Sequence, residues 1–482
     1  MVDITCISLL ATVIEEISIS VIFINMVAKK TLWISGLVTL VILVVVAVIL
    51  RVVLNNNNDS EPKEAVEETI VETNLGKING SIFITRLDKK FIGFRGIRYA
   101  EPPIGNLRFQ PPVAKTSWNE TFDATKEGPA CPQPTDWEVS EDCLRLNVYT
   151  SDIPRNDNFK LKPVFVWIHS GGLKGGSSLS VAAGGHYLLD RDVVLVTINY
   201  RLASLGFMST GTKEMPGNNG FKDQSMGLKW VRDNIIKFGG DPNSVTLIGQ
   251  SAGARSVTLH MISPMSKGLF HRVILMSGGV TAQWKVPSHQ LHLAKKQARI
   301  LNCPEHDIPE MVECLKKTDG VKIGETTEQF REFLNNPVVS WYPVIEPDFG
   351  QERFLTDDPT KLFRDGNFER VPIISGVTND EFASRVPPIL NDPKMTKSMN
   401  DNFEELAPIC FMYERNTLKS KEISKALQDN FINSSVLTNS SFVGLSNVSL
   451  IVILLIKSND FFCSFLVMVL LDLLFTRGVD YK

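Results

Sequence analysis

The sequence has no excess of positive charge and few cysteines or histidines. Its 482 residues carry 50 Lys and Arg against 53 Asp and Glu, a net charge of −3 that argues against a nucleic-acid partner. Seven cysteines are too few for a disulfide-built scaffold, and no Cys/His cluster has metal-ligand spacing. Hydrophobic residues make up 43% and charged residues 21%, which excludes a mainly disordered chain. We therefore expect a folded protein with no metal and no cofactor.

An apolar run of membrane-spanning length lies near the N-terminus. It covers residues 32–50, with Lys29 and Lys30 before it and Arg51 after it. About 20 apolar residues cross a bilayer as a helix, and the charge bias favours a cytoplasmic N-terminus. We predict a tail (1–31), a signal-anchor helix (32–50) and a polar linker (51–68), with the remainder extracellular or lumenal. The alternative is a signal peptide starting at Met26, whose cleavage gives a secreted protein.

Two further features agree with an extracellular or lumenal placement. Asn79 and Asn119 each begin an Asn-x-Ser/Thr triplet, which makes them candidates for glycosylation. Four cysteines form two pairs that close short loops, Cys131 with Cys143 and Cys303 with Cys314. A disulfide across such a loop contributes up to roughly 3 kcal/mol, so local disulfides are the simplest interpretation.

Five short apolar runs recur from residue 164 onward. They are Val164–Ile168, Val193–Ile198, Val245–Ile248, Val273–Met276 and Pro372–Ile374. Continuous apolar runs are typical of strands buried on both faces. Residues 222–238 lie between the second and third runs, have near-helical apolar spacing and end at two glycines. The pattern predicts an α/β fold with a largely parallel central sheet covered by helices.

A serine motif follows the third of these runs. Gly249-x-Ser251-x-Gly253 lies between that strand and an apolar helical pattern. Two glycines permit the sharp turn that exposes a serine hydroxyl, and the amide of Ala252 can then face an oxyanion. The first run is followed by His169-Ser-Gly-Gly-Leu-Lys-Gly-Gly, whose amides at Gly171 and Gly172 can complete an oxyanion hole.

Several longer motifs carry a family resemblance. The segments are Phe94–Phe109 (FRGIRYAEPPIGNLRF), Ser140–Asn147 (SEDCLRLN), Asn199–Leu202 (NYRL), Gly217–Gln224 (GNNGFKDQ) and Phe238–Pro242 (FGGDP). They resemble type-B carboxylesterases, a family that includes cholinesterases, insect juvenile hormone esterases and the adhesion proteins neuroligin and neurotactin. Gln250 is similar to the insect juvenile hormone or venom esterase variant. The resemblance runs from about residue 74 to about residue 429.

The resemblance implies an α/β-hydrolase fold and ester hydrolysis by a Ser, Glu, His triad. Ser251 matches the nucleophile and Glu381 matches the acid, while Gly171, Gly172 and Ala252 match the oxyanion donors. The disulfides Cys131–Cys143 and Cys303–Cys314 are implied as well. Two departures are visible, since Ser170 and Phe382 stand where the family usually has glycine.

The triad histidine is the third departure. In this fold it follows the acid, yet all seven histidines precede Glu381. We interpret His169 as part of the oxyanion loop and His260 as a packing residue. Without a base the serine hydroxyl is not activated, and only residual catalysis is expected.

The sequence changes character after Asp429. Residues 430–482 contain two apolar runs too short to span a bilayer, and the end of this tail resembles the next family segment. We therefore predict a partial hydrolase domain at 69–429, with a sheet incomplete at its C-terminus, and a divergent tail at 430–482. Our hypothesis is that roughly residues 430–468 translate an unspliced intron. A genuine short isoform is the alternative.

Two functions from different classes compete at this point. The first is a membrane-anchored carboxylesterase that acts on a small-molecule ester, with this chain inactive or weak. The second is a non-catalytic adhesion or ligand-binding ectodomain of the neuroligin or neurotactin type. The sequence indicates neither a particular ester nor an oligomeric state.

Overall fold

An eight-stranded mixed sheet forms the centre of the fold. In the computed structural model the described residues are 69–280, 286–378, 381, 383–432, 436–438 and 441, all within a compact unit that begins at Thr69. The order of the strands in the sheet is β11-β10-β9-β7-β8-β6-β4-β3, and a small second sheet has the order β1-β2-β5. The strands are β1 (Ile70–Thr73), β2 (Gly76–Asn79), β3 (Ser81–Ile84), β4 (Lys90–Arg98), β5 (Phe122–Asp123), β6 (Arg145–Thr150), β7 (Lys162–Ile168), β8 (Val194–Ile198), β9 (Gly240–Gln250), β10 (Arg272–Met276) and β11 (Ile373–Gly376).

The five predicted strands form the parallel half of the large sheet. They correspond to β7 to β11, in which each hydrogen-bonded pair of neighbours is parallel. Every residue of β8 is buried, and the same holds for the last five residues of β9 before Gln250. Burial on both faces explains why these strands read as continuous apolar runs.

The antiparallel half was not predicted from the sequence. Here β8 pairs with β6, β6 with β4, and β4 with β3, all antiparallel. β4 contains two glycines and three charged residues, so it shows neither a continuous apolar run nor a clean alternation. Its pairing with β6 is irregular between Phe94 and Ile97, which removes the regular period a sequence pattern needs.

Helices alternate with the strands of the parallel half along the chain. They are α1 (Ser180–Ala183), α2 (Ala203–Phe207), α3 (Asn219–Asn234), α4 (Ala252–Ile262), α5 (Leu291–Ile300), α6 (Ile308–Lys317), α7 (Gly320–Glu325), α8 (Pro359–Arg364), α9 (Pro387–Leu390), α10 (Pro393–Asp401), α11 (Phe403–Phe411) and α12 (Leu418–Leu427). The predicted helix over 222–238 is confirmed as α3 followed by a 3₁₀ turn, Ile235–Phe238. Gly239 then adopts φ 81° and ends the turn.

Three apolar clusters stabilise the described unit. The largest lies between the sheet and its helices, the second joins α9 to α12 with Phe333, and a small third cluster is formed by Phe91, Tyr149, Leu189 and Leu195. Leu437 belongs to the second cluster, and its amide donates to Asn400 Oδ1 over 2.6 Å. Chain packing therefore continues beyond residue 429 at this point.

Both predicted disulfides are present. Cys131 is bonded to Cys143, and Cys303 is bonded to Cys314. None of the helices in the described ranges has the length and apolar character needed to cross a membrane. The predicted anchor at 32–50 and most of the tail at 430–482 lie outside the described residues.

Candidate active site

Ser251 lies in a strained turn between a strand and a helix. β9 ends at Gln250 and α4 begins at Ala252, so Ser251 alone makes the turn, with φ 54° and ψ −117°. Positive φ is uncommon for a residue with a side chain and costs of order 1–3 kcal/mol unless surrounding contacts impose it. Here the Ser251 amide donates to Met276 O over 2.8 Å, and its carbonyl accepts from Arg255 N over 3.0 Å. The turn predicted from Gly249-x-Ser251-x-Gly253 is thus formed.

Close backbone approach requires the two glycines of this motif. A Cβ at Gly249 would lie 2.2 Å from the carbonyl carbon of Gly253, and one at Gly253 would lie 2.2 Å from Ile168 O. Each neighbouring atom belongs to the backbone, so it cannot rotate away. α4 is therefore seated directly on the end of β7, where the glycine-rich loop begins.

The predicted oxyanion loop, His169–Gly176, brings its glycines to the same edge of the sheet. Gly171 has φ 113°, and its carbonyl accepts from Lys174 N at 3.1 Å and from Gly175 N at 3.0 Å. The tight turn leaves the amides of Gly171 and Gly172 unused. Within the described ranges, neither these two amides nor that of Ala252 donates to any group. Unused amides near a nucleophile are what stabilisation of an oxyanion requires.

A side chain from another part of the sequence fixes the end of the oxyanion loop. Gln133 accepts from Gly176 N through Oε1 at 2.7 Å and donates to Gly176 O through Nε2 at 2.8 Å. Gln133 is buried and comes two residues after Cys131, whose disulfide holds the segment in place. The Cys131–Cys143 disulfide thereby supports the loop through Gln133, a role that sequence reasoning missed.

Glu381 follows β11 at the same edge of the sheet as Ser251. The two flanking strands, β9 and β11, are separated only by β10, and the backbone of β10 continues at Ser277, which donates to Gly376 O over 2.8 Å. Two strand spacings separate β9 from β11 by about 10 Å. Glu381 Oε2 accepts from the amide of Thr378 at 3.3 Å and from its hydroxyl at 2.9 Å. The carboxylate is partly exposed and held in a defined orientation.

None of the histidines completes the arrangement. All seven lie in the described residues, and none hydrogen-bonds to Glu381 or Ser251 there: His169, His186, His260, His271, His289, His292 and His306. His260 is fully buried, donates through Nε2 to Gln224 Oε1 at 2.9 Å and accepts from Ser266 at 2.7 Å. Burial lowers the pKa of His260 to about 3, so this packing residue is neutral.

His169 is structural as well. Its ring stacks on Tyr200 with 4.2 Å between centroids, and Nδ1 donates to Ser170 O at 2.8 Å. Burial lowers the pKa of His169 to about 4, which keeps the imidazole neutral. The carbonyl that orients the ring belongs to the backbone of Ser170, the first departure from the family pattern. Phe382, the second, lies outside the described residues.

The two glycosylation candidates differ in accessibility. Asn119 is exposed in a segment without regular structure. Asn79 ends β2, is half-buried and accepts from Thr69 Oγ1 at 2.9 Å. Asn119 is therefore the more accessible acceptor.

Two buried ion pairs were not predicted from the sequence. Lys222 and Glu346 form a fully buried pair at 2.5 Å, and Arg201 pairs with Asp223 at 2.6 Å with both side chains buried. The partners are distant in sequence, so no local pattern identifies the first pair. Lys222 and Asp223 lie in the GNNGFKDQ segment, whose charged residues inside an apolar helix are the one available signal.

Comparison with known proteins agrees with this geometry. Residues 67–453 match the model of the carboxylesterase family. The chain is 39% identical to juvenile hormone esterase of Tribolium castaneum over 349 residues, which cover 70% of this chain and 59% of that protein. It is 36% identical to a carboxylic ester hydrolase of Bombus ignitus over 391 residues, covering 78% and 68% respectively.

A solved structure is also similar. It is the crystal structure of juvenile hormone esterase from Manduca sexta with OTFP covalently attached. The TM-score is 0.69 at 31% identity, covering 79% of this chain and 72% of that one. This similarity confirms the predicted α/β-hydrolase fold. Although the chain spans only 59% of the Tribolium relative, its matched residues and its fold show that it belongs to the carboxylesterase family.

Proposed function

We propose that this chain is the hydrolase domain of a serine carboxylesterase that cleaves a carboxylic ester through an acyl-enzyme at Ser251. The observation that carries the proposal is the strained turn at Ser251 beside three amides with no described acceptor. Attack of the hydroxyl on an ester carbonyl creates an oxyanion, which the amides of Gly171, Gly172 and Ala252 would stabilise. Family membership supports the reaction class.

Glu381 would orient and stabilise a histidine that takes the serine proton. In this sequence no histidine follows Glu381, and none of the seven contacts it. Loss of one triad member lowers kcat by about 10⁴ to 10⁶ and leaves roughly 10³ over water from binding and the oxyanion hole. We therefore expect the 482-residue chain to turn over slowly.

The test uses the full chain with a fluorophosphonate probe and p-nitrophenyl acetate. We expect slow labelling of one serine and weak hydrolysis. Ser251→Ala should remove both, whereas Ser288→Ala, a change at an exposed serine, should remove neither. Labelling that persists in Ser251→Ala would contradict the nucleophile. Hydrolysis near 10 s⁻¹, about the median for enzymes, that is lost in Ser251→Ala would contradict the expected weakness.

A second candidate function is a non-catalytic adhesion or ligand-binding ectodomain. The lack of contact between any described histidine and Glu381 favours it. It predicts no labelling of Ser251 by the probe, together with cell aggregation when the full chain is displayed on cells. Labelling without aggregation would contradict it.

We also propose that residues 32–50 anchor the protein with the hydrolase domain extracellular or lumenal. The apolar length and the flanking Lys29, Lys30 and Arg51 support an anchor. Extraction of membranes with alkaline carbonate should leave the full chain in the membrane pellet. Asn119→Gln should lower the apparent mass of the chain on gels by the mass of one glycan. Release into the medium would instead favour the secreted alternative.

A further inference from the structure

Lys174 occupies an unusual place in the oxyanion loop. It lies between the pair Gly171–Gly172 and the pair Gly175–Gly176, and its amide closes the tight turn onto Gly171 O at 3.1 Å. The side chain is half-buried, and its ammonium donates to Pro337 O at 3.2 Å. A flexible cation is thus attached to the loop that supplies the oxyanion amides.

The segment that accepts the hydrogen bond from Lys174 also accepts a hydrogen bond from an arginine. Arg385 donates through Nη1 to Asn336 Oδ1 at 2.9 Å, one residue before Pro337. The same segment touches the oxyanion loop, because a Cβ at Gly172 would lie 2.5 Å from Val338 O. The segment Asn336–Val338 therefore contacts two cations, Lys174 from the oxyanion loop and Arg385, which lies four residues after the predicted acid.

The charges around Lys174 are predominantly positive. Burial lowers the pKa of Lys174, and Arg331 and Arg385 lower it further, while Glu328 acts in the opposite direction. Glu328 is itself paired with Arg331. Among the residues that the structure describes, Lys174 has no carboxylate within ion-pair distance. Partial burial of a cation that has no ion-paired carboxylate costs free energy, and binding of an anion beside it reduces this cost.

We propose that Lys174, with Arg385 beside it, forms a specificity subsite for a carboxylate carried by the ester. The ammonium would donate a charge-assisted hydrogen bond to this carboxylate while the scissile carbonyl faces the oxyanion amides. The inference rests on the proposed function, since it assumes that an ester binds at Ser251. It adds a substrate class, namely esters with an anionic group a few bonds from the carbonyl carbon.

The experiment measures binding, so it does not depend on turnover. Two stable amide isosteres of an ester, N-hexylsuccinamate and N-hexylbutanamide, differ in the terminal carboxylate. Their dissociation constants for the full chain are measured by calorimetry at pH 7.5 and low salt. A hydrogen bond to a charged group contributes about 1.5–3 kcal/mol, so we expect at least tenfold tighter binding of the succinamate. The preference should fall as salt is added.

Matched variants separate charge from structure. Lys174→Met should reduce the preference to about one, and Lys174→Arg should retain most of it. Lys160→Met is the control, because Lys160 is exposed at the opposite end of β7 and should leave the preference unchanged. A purely structural role would weaken both ligands equally and keep their ratio. Equal binding of both ligands by the unmodified chain, binding of neither, or an unchanged ratio in Lys174→Met overturns the subsite.

Labelling with a neutral fluorophosphonate keeps the two proposals distinguishable. Labelling of Ser251 together with equal ligand binding overturns the subsite and leaves the esterase proposal standing. A tenfold preference that depends on Lys174, without labelling of Ser251, supports carboxylate binding at Lys174 and contradicts the esterase proposal.

Discussion

Acid should destabilise this fold partly through His260. The imidazole is fully buried, and burial lowers its pKa to about 3. An unfolded histidine has a pKa of about 6.5, so below that pH the unfolded chain takes up a proton that the folded chain does not. The stability due to neutral His260 is therefore complete above about pH 6.5 and falls as the pH decreases towards 3. His169, with a pKa lowered to about 4, behaves in the same way.

The magnitude follows from these two shifts. Between pH 8 and pH 5 each histidine removes about 2 kcal/mol from the free energy of unfolding, or about 4 kcal/mol together. His260→Gln, which retains a donor and an acceptor for Gln224 and Ser266, should reduce the loss measured between pH 8 and pH 5 by about 2 kcal/mol. Urea unfolding of the full chain at the two pH values, followed by circular dichroism, gives the difference.

A matched control and one clear outcome decide this prediction. His306→Gln alters an exposed histidine and should leave the loss of stability between pH 8 and pH 5 as it is in the unmodified chain. If His260→Gln loses as much stability over this interval as the unmodified chain, His260 titrates alike in both states, and the argument from burial is refuted.

Three further predictions concern packing. Lys222→Met should cost about 3–5 kcal/mol of unfolding free energy in urea, because it leaves Glu346 buried without its cationic partner, and a cost below 1 kcal/mol would contradict this. Gly253→Ala should lower fluorophosphonate labelling about a hundredfold, since its Cβ must displace backbone by about 1 Å, and labelling at the unmodified rate would refute the close approach. Gln133→Ala should slow labelling about tenfold through loss of two hydrogen bonds to Gly176, and a normal rate would exclude the proposed support of the oxyanion loop by Gln133.

The parallel half of the sheet and the turn at Ser251 could be predicted because their signals are local. Strands buried on both faces, such as β8, require unbroken apolar runs, and the turn after β9 requires glycine at fixed positions. Short loops likewise made both disulfides predictable. The position of Glu381 came from the family resemblance, because a loop carboxylate alone has no distinguishing pattern.

The remaining features depend on contacts between residues far apart in the chain, and only the tertiary structure decided them. β4 is antiparallel and irregular, so its mixed sequence carries no clear period. Gln133 supports Gly176 across 43 positions, and Lys174 meets Pro337 across 163, separations at which no spacing rule applies. The sequence by itself determined a serine turn and a glycine-rich loop on an α/β sheet. The fold decided which charges lie beside them, because burial and electrostatics depend on what packs around a side chain.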